Sequence, residues 1–396
     1  MNKWSIPKLL TIGSLHLGIN AGFSFVAIII PLFLVGFTKS KTTIGVVMSL
    51  GSLIGMIVFP FASWYSDRIW TPIGKRKPFI LLGIVIATLS LVLCGHSLNF
   101  IVVIICLVGI WVGINLASGP IRPLLSDVVP VEQKGKAFGF FHFWAAVATV
   151  LIGMVGGPLY GVQKSYAFYL AAFLLVVTGI TTFTIKEPFL IRNDKDKILE
   201  KTSLKIKIRS YIIGLFQERK SMKIIFLLFL LTISMGLFFP FFPLFLKEIL
   251  KLPDSRIPML MVIPALIGLP VSIIYGVLVD KIKIKKLLYF SLTVQTLVVF
   301  GFCYVRNVDQ VIILAVIGSV VGGTLVILST LFSKVIPASR RGAFWAFNNI
   351  AWNMGWIIGA PLGGIIVDSM GYRVNFLICS VVMLFSILSI KFLEVS

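Results

Sequence analysis

Ser66-Asp67-Arg68-Ile-Trp-Thr-Pro-Ile-Gly74-Lys75-Arg76-Lys77-Pro78-Phe79-Ile80 is the stretch on which the reading of this chain turns. Leu278-Val279-Asp280-Lys281-Ile-Lys283-Ile-Lys285-Lys286 repeats its plan in the second half. In each, an acid closes a long apolar run and a basic cluster follows. A carboxylate at a helix C-terminus opposes the helix dipole, so it needs cations or a neighbouring helix N-terminus to compensate it. Such an arrangement is a clamp that holds in one conformation and lets go in another. Basic residues placed only by membrane topology would account for either copy alone; two copies at equivalent positions favour the clamp.

The apolar runs on either side extend over the whole chain. Its 396 residues are 58% hydrophobic and 13% charged, with a mean hydropathy of +1.04, against about 25% charged in a soluble protein. A membrane-crossing helix takes roughly 20 apolar residues, and twelve such spans are expected: 10–36, 43–66, 78–97, 99–121, 135–160, 165–185, 222–246, 256–279, 286–305, 308–333, 341–367 and 372–393. The sequence therefore describes an all-α membrane protein of twelve transmembrane helices in two six-helix pseudo-repeat bundles. The bundles are residues 1–185 and 222–396. Between them, 186–221 is a basic linker whose Leu204–Phe216 part mixes apolar and basic residues and suits a helix lying on an anionic inner leaflet.

The net charge of +22 is scattered among short connections rather than gathered on a soluble face, so it argues for topology and against nucleic acid as a partner. With the even-numbered connections and both termini on one side, all but eight of the 36 Lys and Arg fall there. The exceptions are Lys39, Lys41, Lys164, Lys247, Lys251, Arg256, Arg306 and Arg373. Both termini are thus expected to be cytoplasmic, in a multi-pass protein of the plasma (inner) membrane. The first apolar stretch is too long for a cleaved signal peptide and is expected to be retained. Cys94, Cys106, Cys303 and Cys379 lie inside apolar runs without metal or disulfide spacing. No cofactor or metal is expected.

The halves repeat in parallel at an offset of 207. Val129-Pro130 with Lys134-Gly135 matches Ile336-Pro337 with Arg341-Gly342, and Gly156-Gly157 matches Gly363-Gly364. Parallel repeats about an axis along the membrane normal are one plan of alternating-access carriers.

Both acid-then-basic loops resemble the signature loop of the major facilitator superfamily, and the resemblance covers the whole chain. It implies that family's fold and a substrate site near mid-membrane between spans one, four, five, seven, eight and eleven. The first loop's spacing is similar to that of the sucrose–proton and glycoside symporters. So are Gly119-Pro120-Ile-Arg122-Pro-Leu124-Leu125-Ser-Asp127 and Ala137-Phe138-Gly-Phe140-Phe141. That narrower likeness rests on about forty residues of the first half. The chain departs from it at one place: Gly109–Ser118 lacks the span-four acid that couples protons to sugar in those proteins. We find no acid near the centre of any span. The gate residues implied are Asp67, Arg68, Lys75, Arg76, Asp280 and Lys281, together with Arg122, which has Asp127 or an anionic ligand as its candidate partners.

Amide and ionisable side chains are costly in hydrocarbon and usually face a cavity. His16, Asn20 and Ser24 recur at four-residue spacing along one stripe of span one. Asn115 comes from span four, His142 and Trp144 from span five, and Asn348, Asn349, Trp352 and Asn353 from span eleven. Asparagine offers donors and acceptors and an aromatic face covers the C–H side of a sugar ring, which suits a neutral polyhydroxylated solute. Two other roles stand beside this: Asn and Ser as glue between helices, and Trp as an interface anchor. His16 and His142 are the groups that titrate near neutrality, and so the proton sites if a proton is the coupling ion.

The expected function is secondary transport of a sugar or glycoside by alternating access, with export of drugs or metabolites as the alternative and a non-transporting sensor as a third reading. No catalytic constellation is present for an enzyme. A monomer is expected to suffice.

Overall fold

The computed structural model describes residues 4–69, 71–185, 187, 219–321, 323–324, 327–328, 330–331 and 341–391. Among them the chain is helical, with a lone bridge between Thr71 and Gly74 in place of any strand. Within hydrocarbon a helix satisfies its backbone groups internally, and among the described residues ten helices are long and apolar enough to cross a membrane.

The first half holds α1 (Ile6–Gly13), α2 (Leu15–Ile28), α3 (Ile30–Leu34), α4 (Lys41–Ser66), α5 (Lys77–His96), α6 (Phe100–Val128), α7 (Lys134–Leu151), α8 (Gly157–Val162) and α9 (Lys164–Thr184). A π-helical turn, Ile152–Gly156, joins α7 to α8. The second half holds α10 (Arg219–Phe238), α11 (Phe242–Glu248), α12 (Ile257–Met261), α13 (Ile263–Lys281), α14 (Ile284–Gly301), α15 (Val308–Ser319), α16 (Arg341–Met370) and α17 (Tyr372–Ile390).

Several expected spans are corrected. The first is three helices in series, broken at Ser14 and Ile29, and the seventh is α10 and α11, broken around Pro240. The eighth breaks at Val262 ahead of Pro264, and the tenth is helical over Val308–Ser319 before turning. Its remainder lies largely outside the described residues, as does the linker with its expected interfacial helix. The fourth span runs to Val128 rather than 121, so Arg122 and Asp127 belong to the helix. Pro120 and Pro123 disfavour a continuing helix. Here a neighbour repairs the loss: the Gly119 carbonyl, orphaned by Pro123, accepts a hydrogen bond from Ser63 Oγ at 2.9 Å. Asn375 serves the same purpose at the break before α11, donating to the Leu237 carbonyl at 2.7 Å.

Within the first half α2 meets α7 and α9, and α5 meets α6 and α9; within the second, α10 meets α16 and α17. The broadest contact between halves joins α4 to α16. It lies at the end of the bundle opposite the termini, hereafter the far end. There the backbones touch: a Cβ on Gly45 would strike the Ala360 carbonyl, and one on Gly364 would lie 2.6 Å from Thr42 Cα. A second contact pairs the π turn and α8 with α12, where a Cβ on Gly157 would lie 2.7 Å from the Ser255 carbonyl. Gly157 and Gly364 are the pair that the 207-residue repeat brings into register, so the two seals are related by the pseudo-symmetry.

Charges lock the far end. The Asp368 carboxylate, from α16, accepts from the backbone N–H groups of Lys41 and Thr42 at 2.8 Å each. It also accepts from Ser40 and Thr42 hydroxyls at 3.0 and 2.8 Å. An acid from one half thereby caps the first helical turn of α4 in the other, where the dipole favours it. Lys41 Nζ pairs with Glu248 at 2.6 Å, and Tyr372 donates to the same carboxylate at 2.9 Å. This ion pair joins the first turn of α4 in one half to the end of α11 in the other.

Asp368→Ala removes a cap of about 1 kcal/mol from the seal without touching the cavity. Spin labels at Lys39 and Met370, both exposed at the far end, are expected to lose part of their short-distance population in double electron–electron resonance. An unchanged distance distribution would show that Asp368 does not hold this end closed.

Candidate functional site

Between the halves, α2, α4, α6 and α7 on one side and α16 on the other enclose a cavity of about 320 Å³. Of the residues expected to line a solute pathway, His16, Asn115, Asn349, Trp352 and Asn353 do so, and Arg122, expected at the gate, joins them. Phe23, Phe59, Ile121 and Phe141 make the apolar part of the wall.

The polar side chains are held in place by their own helices. Asn115 donates to the Trp111 carbonyl at 2.9 Å, and Gly55 leaves room for its Oδ1, which a Cβ there would approach to 3.1 Å. Asn353 donates to the Asn349 carbonyl at 2.8 Å and to its Oδ1 at 3.1 Å. His16 stacks flat on Phe141, centroids 3.8 Å apart, with Nδ1 3.3 Å from the Phe141 carbonyl.

The remaining candidates lie outside this lining. Asn20 donates to the Ala145 carbonyl at 2.6 Å and to Thr149 Oγ1 at 3.0 Å, and Ser24 meets the same hydroxyl at 2.8 Å. Their stripe fastens α2 to α7, the use polar residues find between membrane helices. Trp144 Nε1 donates to the Leu10 carbonyl at 3.0 Å, a strut from α7 to α1. His142 is exposed and meets His16 edge-on at 6.4 Å. Asn348 is half-buried with its Oδ1 unpartnered.

Among the described residues Arg122 supplies the one charge in the lining, and no carboxylate joins it there. It is exposed to the cavity and makes no ion pair or hydrogen bond among the described residues. The expected Arg122–Asp127 pairing is corrected: Asp127 Oδ2 lies 2.6 Å from Arg76 Nη1. Arg76 Nη2 also donates to Asp67 at 3.1 Å, and Lys75 Nζ stands 3.6 Å from that carboxylate. Arg76 is nearly buried, so the loop after α4 is pinned to α6 within one half. Glu187, which the sequence reading passed over, accepts from the backbone N–H groups of Lys75 and Arg76 and caps α5. Arg68 turns away, donating to the Trp64 carbonyl at 3.0 Å with its guanidinium over the Trp64 ring. Lys281 ends α13 exposed; the Asp280 side chain lies outside what is described. At this end, therefore, the described clamp ties α4, α5 and α6 together rather than one half to the other. With the far end sealed, the cavity faces the end that carries the termini.

Trp352 also borders a second cavity, of about 380 Å³, within the second half. Its wall is mostly apolar, with Met235, Phe238, Val298, Leu314 and Met383, and carries the polar side chains of Ser234, Gln295, Ser319 and Thr324. A lone tryptophan thus divides a polar compartment from an apolar one.

The Major Facilitator Superfamily profile matches residues 12–323 and 307–395. Over 388 residues the chain is 25% identical to the multidrug resistance protein MdtG of Proteus mirabilis (strain HI4320), covering 93% of this chain and 91% of that one. The MdtG of Salmonella choleraesuis (strain SC-B67) is 23% identical over 382 residues, covering 93% and 90%. In three dimensions the chain superposes on the nucleoside transporter NupG with a TM-score of 0.76 at 15% identity, over 98% of this chain and 99% of that one. A bacterial homolog of the human lysosomal transporter Spinster, in an inward-facing and occupied conformation, gives 0.78 at 15% identity, over 98% and 96%.

Arg76→Gln leaves two carboxylates without their shared cation. It is expected to cost about 1–3 kcal/mol and to lower the thermal midpoint of the purified protein by several degrees, while Arg68→Gln leaves it unchanged. Equal midpoints for the two variants would overturn the assignment of Arg76 as the centre of this network.

Proposed function

The chain belongs to the major facilitator superfamily and is a membrane transporter, not an enzyme, and we propose that it exports amphipathic organic compounds rather than importing sugar. The observation that carries this reading is the cavity wall. Four apolar side chains and Trp352 face three asparagines, Ser118, a histidine and an arginine, with no carboxylate among the described lining residues to accept from sugar hydroxyls. A hydrogen-bonding site discriminates strongly against solutes that leave its buried polar groups unpaired; a wall that is nearly half aromatic and aliphatic makes contacts that no hydrogen bond fixes. The whole-chain similarity to proteins named for multidrug resistance points the same way, whereas the likeness to sugar symporters rests on about forty residues of the first half, of which Asp67, Lys75, Arg76 and Asp127 here serve the clamp. The missing span-four acid fits a carrier that does not share their coupling.

The distribution of Lys and Arg supports a cytoplasmic position for the end that carries the termini. With that orientation the cavity collects solute from the cytoplasm, and the far-end seal must open to release it outside. One chain supplies both halves and the cavity, so the proposed working unit is the monomer.

Expression in a drug-hypersensitive bacterial host is expected to raise the inhibitory concentration of several amphipathic compounds severalfold. Trp352→Ala and Asn353→Ala should abolish the gain at equal membrane abundance. Saturable sugar uptake into proteoliposomes, with no resistance in cells, would overturn export and restore the sugar reading.

A further inference from the structure

The two compartments that Trp352 borders differ in chemistry. One presents a single uncompensated cation, Arg122, beside the amides of Asn349 and Asn353. The other is a chamber inside the second half, walled by Phe, Met, Leu and Val. A guanidinium offers five donors in a planar fork that fits a carboxylate, sulfonate or phosphate. It lacks such a partner among the described residues. Among the described residues no acid lines the cavity to attract a cation instead. Interiors of folded proteins are close-packed, and voids larger than a water are few. An apolar void of about 150 Å³ takes up benzene, so the chamber's 380 Å³ has room for about two such rings or the same volume of alkyl chain.

We infer that the solute is an amphipathic organic anion that lies across Trp352, its anionic group on Arg122 and its apolar body in the chamber within the second half. The inference rests on the export reading for the existence of an amphipathic solute, and adds its charge and its pose. Length and charge are both selected. Arg122 rejects cations by repulsion, and the chamber rewards apolar bulk that the polar compartment does not accommodate.

The experiment is equilibrium binding of radiolabelled decanoate to the full-length protein in nanodiscs, after subtraction of empty nanodiscs, with butyrate, decanol and decyltrimethylammonium as competitors. Decanoate is expected to bind at least roughly tenfold more tightly than butyrate, by burial of its longer chain. It should also bind more tightly than the cation of equal chain length. Arg122→Gln should weaken decanoate by roughly tenfold or more, the scale of a charged hydrogen bond, and leave decanol unchanged. Ala315→Phe, which fills the chamber, should weaken decanoate and spare butyrate. Ala315→Leu should do so to a smaller degree, which separates filling from misfolding. Equal affinity for the anion and the cation would overturn the inference, as would decanoate binding unaffected by either Ala315 variant. So would a phospholipid retained in the chamber in native mass spectra while decanoate still binds. Binding does not depend on transport direction, so a failure of export with this binding intact would count against the export reading alone.

Discussion

The contact between α4 and α16 is the constraint on which the rest of the structure depends. Lipid tails are as apolar as leucine, so helices in a membrane gain little from hiding apolar surface and associate through close van der Waals contact and interhelical hydrogen bonds. Gly45 and Gly364 let the two backbones touch. Once they touch, the N–H groups of Lys41 and Thr42 lie within reach of Asp368. That acid is tolerated at the end of α16 because the N-terminus of α4 faces it, which offsets the unfavourable dipole of its own helix. Closing this end splays the other and gives the cavity its depth and its one open side.

Much of this was legible before any coordinates, for physical reasons that can be named. Hydrocarbon imposes a length and a composition on each span, so the spans show in the hydropathy. The 207-residue repeat survives where backbones must touch, which is why Gly156-Gly157 and Gly363-Gly364 stand out. The helix breaks were harder to read. Pro123 looks like a terminator in sequence, and only the hydroxyl of Ser63, sixty residues away, shows why α6 continues past it.

The site was half legible. Span eleven announced Asn349, Trp352 and Asn353 because amides at mid-depth need a reason. Span one offered an equally good stripe, but Asn20 and Ser24 were taken by Thr149 and the Ala145 carbonyl. Spacing tells which residues share a face; it does not tell whether a partner waits there. Phe23, Phe59 and Phe141 had no signal at all among 33 phenylalanines. The pairing of Arg76 with Asp127 was equally hidden, since Arg122 lies nearer in sequence and shares a helix with that acid.

Arg122 connects this geometry to the transport cycle. While the cavity is open, water solvates the guanidinium and its charge is cheap to keep. Alternating access requires an occluded state in which both ends are shut and water is reduced, and there an unpaired cation carries a desolvation penalty of several kcal/mol. An anion bound to Arg122 removes most of that penalty and so lowers the occluded state relative to the open one. A ligand shifts an equilibrium only by its difference in affinity for the two states, and this difference is built into the cavity by leaving one charge without a partner. The far-end lock supplies the opposing term. Its ion pair between Lys41 and Glu248 and its cap by Asp368 favour the closed seal, which leaves the cavity facing the end that carries the termini.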